Sequence, residues 1–208
     1  VPGFPFHAGG NITASVAVAY LDGPGDTVPE IIVGSTNDSL YVLEPNGKRR
    51  AGFPVWLRLD GTSKTPSPAI ADMNNDGFMD IVQCCTNGGI YVVNRDGNLV
   101  FPWGNLRYST LTNGSSESSP VVADINGDGF PDIVIGDENA QLTAISGANA
   151  AVLPGFPIQL AGEVRGAAAL ADIDRDGKTE IVLSDWDRNL YVWDYDFRGE
   201  SGIVESYI

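Results

Sequence analysis

Short runs of branched apolar residues recur along the chain, each bounded by small, polar or turn-forming residues. The runs Ile31-Ile32-Val33, Ile81-Val82, Ile133-Val134-Ile135 and Ile181-Val182-Leu183 are too brief for helices, and their residue types suit a pleated, packed surface. After a polar turn each is followed by a second run: Leu40-Tyr41-Val42-Leu43, Ile90-Tyr91-Val92-Val93, Leu142-Thr143-Ala144-Ile145 and Leu190-Tyr191-Val192-Trp193. A segment of small and branched residues precedes each pair, at Ala14 to Tyr20, Ser67 to Ala71, Ser119 to Ala123 and Gly166 to Ala171. A Phe-Pro segment follows the pair and supplies a fourth strand. Proline is tolerable there because an outermost strand has a free edge. No segment carries a helical period.

Two landmarks repeat independently. Phe-Pro stands at Phe4-Pro5, Phe53-Pro54, Phe101-Pro102 and Phe156-Pro157, and an aspartate stands at Asp22, Asp72, Asp124 and Asp172. Both recur about every fifty residues, the length of one propeller blade and longer than a β-solenoid coil. Four repeats are expected at approximately 1–50, 51–100, 101–153 and 154–197, within one domain over 1–208. The predicted fold is all-β: a β-propeller of four blades, each of four antiparallel strands, either a small closed ring or part of a larger propeller. The last repeat ends shortly after its third strand, at Tyr191 to Trp193. In a closed ring, Gly3 to Phe6 is expected to supply the missing outer strand.

Composition narrows the function classes. A formal net charge of -15 argues against nucleic acid, which needs a basic surface. No stretch approaches the roughly 18 unbroken apolar residues that span a bilayer, so no membrane insertion is expected in this segment. The chain starts at Val1 without a charged-then-apolar leader and reads as an excerpt. Cys84 and Cys85 are adjacent, so in a strand they point to opposite faces. They are expected as buried thiols, not as a disulfide framework or zinc site.

The acids are not scattered. The second repeat has the loop Asp72-Met73-Asn74-Asn75-Asp76-Gly77-Phe78-Met79-Asp80, the third Asp124-Ile125-Asn126-Gly127-Asp128-Gly129-Phe130-Pro131-Asp132, and the fourth Asp172-Ile173-Asp174-Arg175-Asp176-Gly177-Lys178-Thr179-Glu180. Side-chain oxygens fall at loop positions one, three, five and nine, with glycine at six. Calcium needs six to eight oxygens, and such a turn can supply them from those side chains and the main-chain carbonyls of Phe78, Phe130 and Lys178 at position seven. Glycine permits the positive φ that bends the loop. An EF-hand is excluded, since it needs a Glu at position twelve, where Gln83, Ile135 and Leu183 stand. About three calcium ions per chain are expected. The first repeat departs from the pattern, with Pro24 at position three and Thr27 in place of the glycine. Its loop is expected to keep its shape through proline stiffness and to hold no metal tightly.

These residues resemble the FG-GAP/VCBS repeats of integrin α-subunit propellers and of large microbial surface proteins. The resemblance covers nearly the whole chain and is most specific at 72–80, 124–132 and 172–180. Gly-Phe-Pro at 3–5, 52–54 and 155–157 replaces the literal Phe-Gly and Gly-Ala-Pro landmarks, which places the chain nearer the microbial branch. The resemblance implies that calcium stiffens the scaffold from the end opposite the ligand-binding loops, and that the protein is secreted or displayed on a cell surface.

Function is then expected to be binding or adhesion, with a protein or carbohydrate ligand. The alternatives are a structural spacer or subunit of an extracellular assembly, with self-association or further blades, and a polysaccharide-lyase type of propeller enzyme. Catalysis is not expected: the one histidine, His7, lies beside a Phe-Pro edge, and no nucleophile–base set or phosphate-cradling loop is present. Candidate ligand contacts are Lys64, Arg107, Tyr108, Arg165, Trp186 and Arg188, on the turns expected to face the ligand.

Overall fold

In the computed structural model, which describes residues 1–57, 65–86, 88–100, 105–107, 117–196 and 203–206, the apolar runs form sixteen strands. They fall into four antiparallel sheets, each a simple meander. The first sheet holds β1 (Ala17–Ala19), β2 (Glu30–Ser35), β3 (Ser39–Leu43) and β4 (Val55–Trp56). The second holds β5 (Ala69–Ala71), β6 (Asp80–Cys84), β7 (Gly89–Val93) and β8 (Asn105–Arg107). The third holds β9 (Val121–Ala123), β10 (Asp132–Gly136), β11 (Gln141–Ile145) and β12 (Ile158–Gln159). The fourth holds β13 (Ala169–Ala171), β14 (Glu180–Ser184), β15 (Leu190–Asp196) and β16 (Ile203–Ser206). Among the described residues no helix is long and apolar enough to cross a membrane.

The register is the same in every sheet. Ala19 faces Glu30, Ala71 faces Asp80, Ala123 faces Asp132 and Ala171 faces Glu180. The acidic residue that ends each acidic loop therefore also begins the second strand. Outer strands start just after the Phe-Pro pairs, at Val55 and Ile158, so a Phe-Pro segment closes the sheet before it. The Phe101-Pro102 pair lies outside the described residues. One expectation is corrected here: the fourth sheet takes its outer strand from Ile203–Ser206, which pairs with β15. Gly3 to Phe6 does not fill that edge. Gly3 instead lies against the Asn46–Gly47 turn of the first sheet, where a Cβ would meet the Asn46 carbonyl oxygen at 1.9 Å. Gly52 makes the same approach to Asp96 of the second sheet, at 2.1 Å, so only glycine fits at either place.

Both faces of the middle strands carry apolar residues, and three inter-sheet cores pack the four sheets against one another in chain order. One core joins the first and second sheets through Ile32, Val42, Ile81 and Val93. A second joins the second and third through Val82, Val92, Ile133 and Ile145. A third joins the third and fourth through Val134, Ala144, Ile181 and Trp193. Strand alternation divides the adjacent cysteines between two of these: Cys85 packs with the first core and Cys84 with the second, both thiols buried and free. Hydroxyl bonds also link the inner edges. The Ser15 amide donates to Ser67 Oγ at 3.1 Å and the Ser67 amide to Ser119 Oγ at 3.0 Å. In the fourth sheet the equivalent residue is Ala167, which has no hydroxyl to accept the next bond.

Candidate metal centres

The loops joining the first two strands of sheets two, three and four share one backbone design. The position-one carboxylate folds inward: Asp72 accepts from the amides of Asp76 (3.0 Å) and Gly77 (2.8 Å), and Asp124 from Asp128 (3.2 Å) and Gly129 (2.8 Å). Asp172 accepts from Gly177 at 3.1 Å. Position three caps the amide of position five, from Asn74 to Asp76 (3.0 Å), Asn126 to Asp128 (2.8 Å) and Asp174 to Asp176 (3.0 Å). Position five in turn holds the amide of Phe78 (2.9 Å), Phe130 (2.9 Å) or Lys178 (2.8 Å). Position six has φ of 88°, 87° and 91° at Gly77, Gly129 and Gly177, as this tight turn requires.

Position nine is buried in each loop and anchored by a backbone amide. Met73 donates to Asp80 at 3.0 Å and Ile125 to Asp132 at 3.1 Å, while Ile173 donates to Glu180. Burial raises the pKa of Asp80 to about 7, with the charges of Asp76 and Asp72 adding to it. Asp132 rises to about 6 for the same reasons, against two amide bonds that hold it down. These carboxylates are thus placed where their own charge is costly unless a cation accompanies it.

The three loops differ in what they gather. In the fourth, ligating oxygens of Asp172, Asp174, Asp176 and Glu180 all lie within 4.8 Å of one another. Glu180 is 3% exposed, and its Oε1 is buried without a hydrogen-bond partner. Lys178 Nζ stands 3.3 Å from Asp176, and its backbone amide and its charge hold that carboxyl below its ordinary value. The second and third loops keep the same turn but carry an amide at position three. There Asn74 Nδ2 donates to Asp76 at 3.0 Å and Asn126 Nδ2 to Asp128 at 3.1 Å. Among the described residues their carboxylates form no cluster as tight as that of the fourth loop.

The first loop is built differently from the expected alignment. Leu21 donates to Glu30 nine residues on, whereas Met73, Ile125 and Ile173 donate to their acids seven residues on. The loop is therefore longer, and Tyr20 stands where Asp72, Asp124 and Asp172 stand in the other sheets. Asp22, Asp26 and Glu30 still form a tight acidic group. A guanidinium enters it: Arg50 bonds Asp22 and lies 2.9 Å from Glu30 and 3.8 Å from Glu44, with Arg95 3.4 Å from Asp22. The bond from Arg50 is the main reason Asp22 titrates below its ordinary value, while burial still lifts Glu30. The loop is held by these ion pairs, where proline stiffness was expected. Sequence reasoning missed Arg50. By the bonds to Val42, Val92 and Ala144, its counterparts are the apolar Val100 and Leu153, and that change of type was the available signal.

The opposite ends of the sheets carry the turns between second and third strands. Trp186 is 71% exposed beside a shallow cleft of about 330 Å³ lined by Glu138, Gly162, Glu163 and Asp187. Arg165 lies 5.3 Å from the Trp186 ring and is ion-paired to Glu117 (3.2 Å), Glu138 (3.5 Å) and Glu163 (2.9 Å), so it is engaged within the protein. Arg188 sits in the same turn as Trp186, with φ of 72°. Lys64 and Tyr108 lie outside the described residues, and only the backbone of Arg107 is described.

Two family models match the sequence: an FG-GAP-like repeat over residues 22–83 and an FG-GAP repeat over 118–145. Such repeats are found in adhesion and extracellular proteins. No curated protein sequence matches the chain significantly. Among solved structures it is similar to the computationally designed Ika4 protein (TM-score 0.57, 15% identity, 91% of this chain and 94% of that one). It is also similar to BBS1N, solved in complex with ARL6DN (0.58, 15%, 93% and 52%), and to BamB from Moraxella catarrhalis (0.56, 14%, 91% and 48%). The chain thus spans about half the length of the last two. BBS1N and BamB are β-propeller proteins, and at such identities the likeness concerns the fold alone.

Proposed function

The chain is a β-propeller protein carrying FG-GAP repeats, and from that premise we propose that it is a calcium-stabilised extracellular binding or adhesion module. The observation that carries the calcium reading is Glu180 Oε1. It is a buried, unpartnered oxygen within a cluster of four carboxylates. A hard cation with oxygen ligands is what such a donor set suits. Asp172, Asp174, Asp176 and Glu180 would hold one ion, and Asp72, Asn74, Asp76, Asp80 and Asp124, Asn126, Asp128, Asp132 one each, with the carbonyls of Phe78, Phe130 and Lys178. The ion would supply charge neutralisation and loop rigidity, not chemistry on a substrate. The Arg50 ion pairs favour a first loop without metal.

The recognition role is assigned to the opposite end, at the Trp186 cleft. An exposed indole beside carboxylates is suited to stacking on a sugar ring or a cationic side chain. Binding in place of catalysis is supported by the acids themselves: in the described loops they are already bonded to their own backbone. Calcium-rich surroundings outside the cell suit loops of this kind. Calorimetric titration of the metal-stripped protein should show about three calcium ions bound. A protein with no measurable calcium binding and the same melting curve with and without EDTA would remove the metal assignment. A glycan and protein array, run on wild type and Trp186→Ala, tests recognition. A ligand bound equally by both places the site elsewhere.

A further inference from the structure

The acidic loops of the second and third sheets are joined by one side chain. Asn75 lies between loop positions three and five, with φ of 57°, and its Nδ2 donates to the Gly129 carbonyl at 2.8 Å. Asparagine tolerates this left-handed conformation better than most residues. Its own loop sets its place: Asp72 and Asn74 both accept from the amide of Asp76, in the peptide that follows Asn75, at 3.0 Å.

The carbonyl that Asn75 reaches belongs to the next loop. Gly129 C=O and Phe130 N–H are the two ends of one rigid peptide unit. That N–H donates to Asp128 Oδ1 at 2.9 Å. Two hydrogen bonds in series therefore run from Asn75, through a single peptide plane, to the position-five carboxylate of the third loop. Bonds in series polarise one another, so the donor in the second loop strengthens the hold on a ligand of the third.

The neighbouring junctions are built without this link. In the second loop the equivalent carbonyl is that of Gly77, and Gly23 of the first loop lies against it. A Cβ on Gly23 would stand 2.7 Å from that oxygen, and glycine has no side chain to donate. In the third loop Gly127, with φ of 75°, takes the place of Asn75. A cleft of about 320 Å³, lined by Asn126, Gly127, Gly177 and Lys178, lies between the third and fourth loops.

We propose that the second and third loops take up calcium as a coupled pair, with Asn75 carrying the coupling, while the fourth loop fills independently. The coupling rests on the calcium reading of these loops and adds a regulation to it. Ordering Asp72, Asn74 and Asp76 around an ion fixes Asn75 between them, and Asn75 then holds the 129–130 peptide against Asp128. Linkage makes the effect reciprocal, so whichever loop fills first favours the other. Both loops offer Asp, Asn, Asp and Asp at positions one, three, five and nine. Their intrinsic affinities are therefore matched, and coupling appears directly in the slope of a titration.

Calorimetric calcium titration of the metal-stripped full chain tests this, in a background where Asp176→Ala removes a ligand of the fourth loop. Two ions should bind with a Hill coefficient of about 1.4, which a coupling of about fivefold produces between two equal sites. Asn75→Gly accommodates the same φ and removes only the donor. It should bring the coefficient back to about 1 with two ions still bound, and circular dichroism would verify the unchanged fold. With Asp176 intact, a third ion should bind without altering the coefficient of the pair. Two ions bound without cooperativity, or cooperativity that survives Asn75→Gly, would overturn the coupling and leave the calcium assignment standing. A chain that binds no calcium would overturn both.

Discussion

The guanidinium of Arg50 lies 2.9 Å from the carboxylate of Glu30, a side chain only 2% exposed, and also binds Asp22. Arg50 thereby supplies most of the positive charge that compensates the acidic group of the first loop, with Arg95 beside Asp22. Replacing Arg50 with the valine of the second sheet's equivalent position, Arg50→Val, leaves Glu30 buried without its partner. Breaking a buried pair in this way costs about 3–5 kcal/mol. In EDTA the variant should therefore melt well below wild type. Excess calcium should recover more of the loss than the same calcium adds to wild type, because Asp22, Asp26 and Glu30 then keep only Arg95, 3.4 Å from Asp22, as a counter-charge. Differential scanning calorimetry with and without calcium measures both. Equal melting temperatures for the two proteins in EDTA would show that the pair contributes nothing.

Charge count should rank the remaining loops. The fourth presents four carboxylates, while the second and third present three and an amide that is turned partly to its neighbour. Calcium affinity in oxygen sites rises with ligand charge. Asn74→Asp and Asn126→Asp should each tighten one site, visible as a steeper segment in a calcium titration. Glu180→Gln should weaken the tightest site, since it discharges a carboxylate whose Oε1 is buried in the cluster without a hydrogen-bond partner. A titration in which Glu180→Gln leaves all sites unchanged would take the fourth loop out of the metal assignment.

Much of this arrangement was legible in the sequence, for a physical reason: strand alternation and turn residues are local. The middle strands fall where the Ile-Val and Leu-Tyr runs stand, and glycine at loop position six marks a positive φ in all three acidic loops. The cysteine pair divides between two cores, as two successive residues of a strand must. What was not legible depends on contacts between repeats. Counting back from Glu30 put Asp22 at loop position one, and only the bond from the Leu21 amide shows that Tyr20 stands there. The outer strand of the last sheet was hidden too, because Ile203–Ser206 carries no Phe-Pro mark. The serine bonds between inner strands and the entry of Arg50 into the first loop join residues far apart in the chain.

Asp137 gives a pH signature that does not involve the acidic loops. Its Oδ1 accepts from the amides of Asn139 and Gln141, both at 2.9 Å, while Oδ2 is buried without a partner. Burial raises its pKa above the ordinary 3.8, and the charge of Glu138 adds to the rise. Between 3.8 and the higher folded value, the native state keeps a proton that the unfolded chain has lost, so stability falls as pH increases. Below that window the group contributes no pH dependence. Asp137→Asn keeps the carbonyl acceptor and cannot ionise. Relative to wild type it should gain stability as pH is raised from about 4 to 7. Chemical denaturation at several pH values gives the difference, and a constant offset between the two proteins would contradict the assignment.

The thiols of Cys84 and Cys85 should be silent in the native state and become reactive only when the sheets that bury them part. Each is about 1% exposed, and burial pushes both thiols well above their ordinary pKa. A disulfide-exchange reagent needs both access and thiolate, and the fold withholds both. The two residues lie in different inter-sheet cores, so exposing Cys85 requires parting the first and second sheets, and exposing Cys84 the second and third. If the sheets unfold as one cooperative unit, both should be labelled at the same rate. If the array opens sheet by sheet, one thiol should be labelled before the other, and mass spectrometry of partly labelled protein would show which junction yields first. Calcium should slow both rates, because the loops at Asp72–Asp80 and Asp124–Asp132 lie at the starts of the strands that bear or cover these cysteines. Rapid labelling of either cysteine in the folded, calcium-loaded protein would contradict the packing described for the second sheet.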